Sequence, residues 1–257
     1  MDADLFQEAL DRLSNWAQDW QLQISITKCS IMHIGTVQVN RIFSLDGYHL
    51  PHITSCKDLG IAVKNNLTPS SHVATITATA NQRVGLIYRI VVSRDVHLLV
   101  RAFVTYARPI LEYNTVVWSP FGKGDIDRVE KVQRRFTKWL PGLKHLTYGQ
   151  RLKFINLESL ELRRLHADLI MCYKIVFGLV NLSFSDFFSF SPNTITRGHQ
   201  YKLYVKRSRG ARKYFFAERV IGPWNFLPTD TNFSTLNHFK CSIKLADLKK
   251  FLTIDLE

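Results

Sequence analysis

The sequence carries none of the short strings that most often mark an enzyme. It has no Gly-x-x-x-x-Gly-Lys-[Ser/Thr] loop for phosphates, no Gly-x-Gly-x-x-Gly turn for a dinucleotide, no Gly-x-Ser-x-Gly elbow and no His-Glu-x-x-His pair. Cysteine is sparse: Cys29, Cys56, Cys172 and Cys241 are widely scattered, with no Cys-x-x-Cys pair. Neither a zinc knuckle nor a disulfide framework is expected, and reduced, buried thiols are. Metal ligands are not read from the nine histidines either. Long apolar runs are missing too: the longest, 175–185, is interrupted by Asn181 and falls short of the roughly 20 residues that span a bilayer. With an acidic start unlike a signal peptide, the expectation is a soluble, intracellular protein without membrane partners, nuclear or cytoplasmic and not secreted.

Acidic residues are also scarce, 21 against 34 basic ones, for a net charge of +13 over 257 residues. An excess of that size points to a polyanionic partner, RNA and/or DNA first, or to plain solubility. Its distribution is uneven. Residues 1–30 set Asp2, Asp4, Glu8, Asp11 and Asp19 against Arg12 and Lys28, a balance of −3; residues 197–219 set eight bases against Glu218, a balance of +7. A hydrophobic content of 46% with 12% aromatics is that of a folded chain.

Leu5, Ala9, Leu13, Trp16 and Trp20 recur at helical spacing, which predicts an amphipathic first helix with both tryptophans in the core. Residues 22–34 alternate loosely and read as a strand. Asp46-Gly47 between Phe43–Leu45 and Tyr48–Leu50 reads as a hairpin, and 59–63 as a further strand. After Pro69 the pattern turns helical, over 72–92, 95–107 with Pro109 as its stop, 124–140 and 158–178. Residues 180–196 read as a partly buried linker, with helices resuming near 210–221 and 236–250. The fold class is therefore α+β, mostly helical.

The strongest chemical signal is cationic. Lys131, Arg134, Arg135 and Lys138 fall on one face of helix 124–140, opposite Ile126, Val129 and Phe136. Arg197, Lys202, Arg207, Arg209 and Arg212 are interleaved with Tyr201, Tyr204 and Tyr214. Such mixtures clamp phosphates and stack on bases, or they are solvated faces.

Taken in order, the strings Leu13-x-x-Trp16-x-x-x-Trp20-x-Leu22, Lys28-Cys29-x-x-Met32-x-Ile34-Gly35, Lys57-Asp58-Leu59-Gly60-Ile61 and Arg108-Pro109-Ile110-Leu111-Glu112-Tyr113 form one series. It continues through Val129-Glu130-x-Val132-Gln133-Arg134-Arg135-Phe136-Thr137-Lys138, Tyr148-x-x-Arg151-Leu152, Leu160-Glu161-x-Arg163-Arg164-Leu165-x-x-Asp168 and Phe216-x-x-Arg219-Val220-Ile221-x-x-Trp224-Asn225. This series resembles the region after the active site in LINE-type, jockey-like non-LTR retrotransposon reverse transcriptases. The resemblance implies the end of a palm (1–63), thumb-like helices (64–122) and a basic C-terminal helical domain (123–257). It implies that Lys28 matches a lysine that protonates the leaving pyrophosphate, as a possible general acid in a full polymerase. Leu59 and Gly60 match a hairpin that grips the primer end. The family's Tyr-x-Asp-Asp turn would precede Met1, so the chain is expected to be a truncated polymerase without activity of its own. No cofactor is expected here, although the full polymerase requires Mg2+. Ser25 stands where the family has asparagine, Ala107 where it has valine, and Gln150 where it has glutamate. A domesticated nucleic-acid-binding module and a helical protein-interaction scaffold are the alternatives.

Overall fold

Two hairpin turns organise the start of the chain, in a computed structural model that describes residues 3–35, 41–192 and 198–254. Asp46 and Gly47 sit at φ 53° and 77°, the two left-handed residues that a tight hairpin turn demands. They join β1 (Ser44–Leu45) to β2 (Tyr48–His49) in antiparallel register. Leu59 and Gly60, at φ 43° and 88°, turn β3 (Ser55–Asp58) into β4 (Ile61–Lys64) in the same way. Asp46 and glycine tolerate this conformation; at Leu59 the Cβ makes it costly. The 22–34 segment is not a strand. It contains a 3-10 turn over Ile26–Lys28 and only a single bridge, Ile31 with His52.

The first helix, α1 (Ala3–Asp19), is amphipathic but buries a different face from the one its tryptophans predicted. Trp16 is 51% exposed and Trp20 68%, with Leu5 and Leu13 beside them on the outside. The covered face is Phe6, Gln7, Ser14 and Ala17. Phe6 meets Phe43 edge-to-face at 5.0 Å. The Gln7 amide exchanges two hydrogen bonds with the Ser44 backbone, at 2.9 and 3.0 Å, and Gln18 donates to Asp46 at 3.0 Å. Polar links to the hairpin, not indole burial, fix the helix. Residues up to His72 form one compact unit and those from Val73 a second.

The second unit is helical on both sides of residue 122. It comprises α2 (Ser70–Ile90, whose first turn belongs to the first unit), α3 (Val96–Tyr106), α4 (Arg108–Glu112), α5 (Thr115–Trp118), α6 (Lys123–Trp139), α7 (Tyr148–Phe154) and α8 (Leu160–Val176). Then follow α9 (Phe184–Phe187), α10 (Phe216–Arg219), α11 (Ile221–Phe226) and α12 (Leu236–Leu245). Caps explain the starts. Asp95, Ser159 and Thr235 each accept a backbone N–H three residues on, and Thr147 with Gln150 closes a reciprocal capping box on α7. Helix α3 stops at Tyr106, before Pro109 as expected, and the proline falls in the first turn of a new helix, α4, where its missing N–H costs nothing. The mostly helical α+β class holds.

Phe103 and Phe136 stack at 4.3 Å, and Leu99, Leu111 and Val129 on helices α3, α4 and α6 are fully buried. A core cluster gathers Leu169, Cys172, Tyr173, Phe216, Trp224 and Phe239 around α8 and α11. Cys172 is buried as expected, but Cys241 is exposed, and all four thiols are free.

Candidate nucleic-acid interface

Helix α6 carries its charges on two sides with different roles. On the inner side, Glu130 is fully buried, and its carboxylate accepts from the Tyr148 hydroxyl and from the Leu160 and Glu161 amides at 3.0 and 3.1 Å. Those amides open α8, so Glu130 places a negative group at a helix N-terminus, where the dipole favours it. Burial pushes its pKa up, against those three hydrogen bonds and nearby Arg164. Gln133 donates to Tyr148 at 3.1 Å and to the Glu158 carbonyl at 2.9 Å. Thr137 accepts from Arg151 at 3.1 Å. Val129–Thr137 and Tyr148-x-x-Arg151 are thus one packed assembly.

The charges of α8 are used in the same way. Arg163 holds Glu112 through two hydrogen bonds, and the Glu161 carboxylate accepts from the Thr253 and Ile254 amides at 2.8 and 3.0 Å. Arg164 is buried; burial draws its pKa down while Glu130, Glu161 and Asp168 surround it with negative charge. Asp168, its own pKa raised by burial and held back by Arg219, takes that arginine's fork. Farther along, Trp224 donates to the Tyr201 carbonyl at 2.7 Å, and Asn225 pairs with both backbone groups of Leu203 at 2.8 Å. Most of these motif residues are therefore inside the protein, where they pin helices together.

The outer side of α6 is cationic. Lys131, Arg135 and Lys138 are exposed, and no carboxylate among the described residues pairs with them. Arg135 lies over the Trp139 ring at 4.5 Å. Arg134 departs from this group: it is half-buried, bound to Asp127 at 2.9 Å and placed over Tyr148 at 5.2 Å. Arg207 and Arg209 are exposed without an ion-pair partner among the described residues, and Arg212 is exposed 3.8 Å from Glu218. Lys202 is half-buried beside Gly198. Arg197 lies outside the described residues. Of the interleaved tyrosines, Tyr204 is exposed, Tyr214 is exposed but stacks on Phe121 at 3.9 Å, and Tyr201 lies in the core packing.

In the first unit, Lys28 is exposed at the end of its 3-10 turn, and Leu59 and Gly60 are the exposed tip of the second hairpin. Asp4 pairs with Arg41. Among the described residues no group of three or more His, Cys, Asp or Glu side chains is placed to hold a metal ion. The described carboxylates thus do not fit a two-metal polymerase centre. No described helix is long and apolar enough to cross a membrane.

Three residues escaped the sequence pattern. Arg94, Lys144 and Trp139 lie on separate segments, yet the fold draws them together with Lys138 around one pocket. Their spacing in the chain carries no period that would have revealed it.

No protein-family model and no solved structure matches the chain. It is similar to the RNA-directed DNA polymerase from mobile element jockey of Drosophila melanogaster, with 25% identity over 144 residues. The match covers 53% of this chain and 15% of that protein, so the chain spans a small part of its relative. This likeness supports a reverse-transcriptase-like relationship between the chain and a mobile-element polymerase.

Proposed function

We propose that the chain is a nucleic-acid-holding part of a LINE-type retrotransposon reverse transcriptase, binding RNA and/or DNA without synthesising DNA by itself. In this reading residues 1–63 correspond to the end of a palm, 64–122 to thumb-like helices and 123–257 to a basic C-terminal domain. The observation that carries it is the outer edge of α6, where Lys131, Arg135 and Lys138 project from a helix whose opposite side is anchored by Glu130, Gln133 and Thr137. A rigid row of unpaired cations is what phosphate binding requires. The sequence also contains no Tyr-x-Asp-Asp string to hold catalytic metals.

The test is salt dependence. Each phosphate contact on a single strand contributes about 0.7 to the slope of log affinity against log salt. Replacing Lys131, Arg135 and Lys138 together by Gln lowers that slope by roughly two, measured by fluorescence anisotropy with a short RNA. An unchanged slope would return this edge to the class of solvated surfaces.

A further inference from the structure

The cations of α6 do not stop at its last turn. Where α6 ends, Trp139 remains 47% exposed, with Arg135 over one face and Tyr88 of α2 meeting the ring at 71° and 5.2 Å. Tyr88 is itself held by donating to the Phe136 carbonyl at 3.0 Å, so the aromatic corner is braced from below. Beside it opens a pocket of about 750 Å³, lined by Tyr88, Arg94, Lys138, Trp139, Gly142 and Lys144 among others. That volume lies in the range of small-molecule sites. Trp139 and Tyr88 both line the pocket, whereas Arg135, over the Trp139 ring, does not.

The electrostatics select the occupant. Arg94, Lys138 and Lys144 are all exposed, and no carboxylate among the described residues pairs with them. The carbonyl end of α6 contributes roughly half a negative charge, far less than three full cations, so the mouth attracts anions. Phosphate alone would need no aromatic wall, and an apolar ligand would not need three cations. A flat π-face ringed by positive charge is the combination that holds a base and its flanking phosphates.

We propose that this pocket is a base-stacking site for single-stranded polynucleotide: one base lies against Trp139 while the adjoining phosphates are held by Arg94, Lys138 and Lys144. The assignment rests on the nucleic-acid reading above and adds to it a place where the strand is gripped through a base as well as its backbone.

The experiment uses the full chain and two fluorescein-labelled 12-mers, oligo(dT) and an abasic strand with the same phosphates. Base stacking of this kind changes affinity by roughly five- to hundred-fold. The wild type binds oligo(dT) more tightly than the abasic strand by a factor in that range. Trp139→Leu loses the preference at every salt concentration with its salt slope unchanged, and Trp139→Phe retains part of it. Arg94→Gln with Lys144→Gln does the opposite: it lowers the slope by about 1.4 and keeps the preference. Because the abasic comparison uses unaltered protein, it does not depend on any variant folding. Equal, salt-sensitive binding of both strands by the wild type overturns the stacking site and leaves the broader function standing. Absence of binding to either strand overturns both.

Discussion

Arg219 reaches Asp168 across 51 residues of sequence with a two-pronged grip, Nε to Oδ2 at 2.8 Å and Nη2 to Oδ1 at 2.9 Å. The same guanidinium also donates to the carbonyls of Val116 and Tyr214, at 2.7 and 3.0 Å. One side chain therefore ties α5, α8 and the segment before α10 together. Removing it leaves a buried carboxylate without its partner. Arg219→Ala is expected to destabilise by about 3–5 kcal/mol in urea unfolding. The double variant with Asp168→Ala should cost much less than the two single changes added together. A loss below about 1 kcal/mol for Arg219→Ala would class the pair with exposed surface bridges.

Glu130→Gln tests the carboxylate at the start of α8. The amide keeps the shape but turns an NH2 group toward one of the donors Leu160, Glu161 or Tyr148. A lowered unfolding midpoint, equivalent to about 1–3 kcal/mol, is the expected result. Tyr148→Phe should cost less, since both α8 amides keep their acceptor. Wild-type stability in Glu130→Gln would mean that these hydrogen bonds contribute nothing net.

His199 makes stability depend on pH. Its Nε2–H donates to the Trp224 carbonyl at 2.8 Å, and burial draws its pKa below the ordinary 6.5, with Lys202 adding to the effect. A folded-state pKa below the unfolded one gives a contribution that is complete above pH 6.5 and lost as pH falls through the folded value. His72, buried and accepting from the Ala62 amide, shifts in the same direction. The raised carboxyls Glu130 and Asp168 oppose this on acidification, so the comparison is with His199→Gln. The stability advantage of wild type over His199→Gln should shrink between pH 7.5 and 5.5, by at most about 1.4 kcal/mol per pH unit. A gap that stays constant, measured by urea unfolding at each pH, contradicts the linkage.

Trp16 and Trp20 should be nearly dispensable for stability. Each Trp→Ala change there is expected to cost less than about 1 kcal/mol, whereas Trp224→Ala, in the centre of its core, should cost roughly 3–5 kcal/mol. Thermal melts of the three variants rank them directly. A Trp16 penalty as large as that of Trp224 would mean that α1 packs through its indoles after all.

Primer extension on a poly-rA template with magnesium or manganese should stay at background. The reason is that no carboxylate group among the described residues is placed to clamp two ions. Extension that persists through repurification would contradict it.

What was readable in the sequence follows from how local each determinant is. The Asp46-Gly47 turn is dictated by two adjacent residues, so the first hairpin could be placed from them. The long helices α2, α6 and α8 announce themselves by period, and their ends lie within a few residues of expectation. The face of α1 could not be read, because the larger apolar side chains Leu5, Leu13, Trp16 and Trp20 mark one stripe of the helix while the covered stripe is the more polar set Phe6, Gln7, Ser14 and Ala17. The choice between the two was made by Ser44 and Asp46, which lie elsewhere in the chain. Arg134 looked equivalent to Arg135 on a helical wheel until Asp127 and Tyr148 claimed it. Glu130, Arg163 and Asp168 read as charges in a motif, and only the partners that fold onto them reveal a structural use.

The five tryptophans are divided by the fold into optically distinct sets. Trp118 and Trp224 are enclosed, Trp139 is half-open, and Trp16 and Trp20 stand in water with ring centroids 6.5 Å apart at 42°. Two indoles at that separation couple their transitions, so winding of α1 leaves a paired band in the circular dichroism that ends when the helix frays. The enclosed pair emits at shorter wavelength and reports the second unit. Melting of α1 and melting of the helical unit are thus spectrally separable in the unlabelled protein.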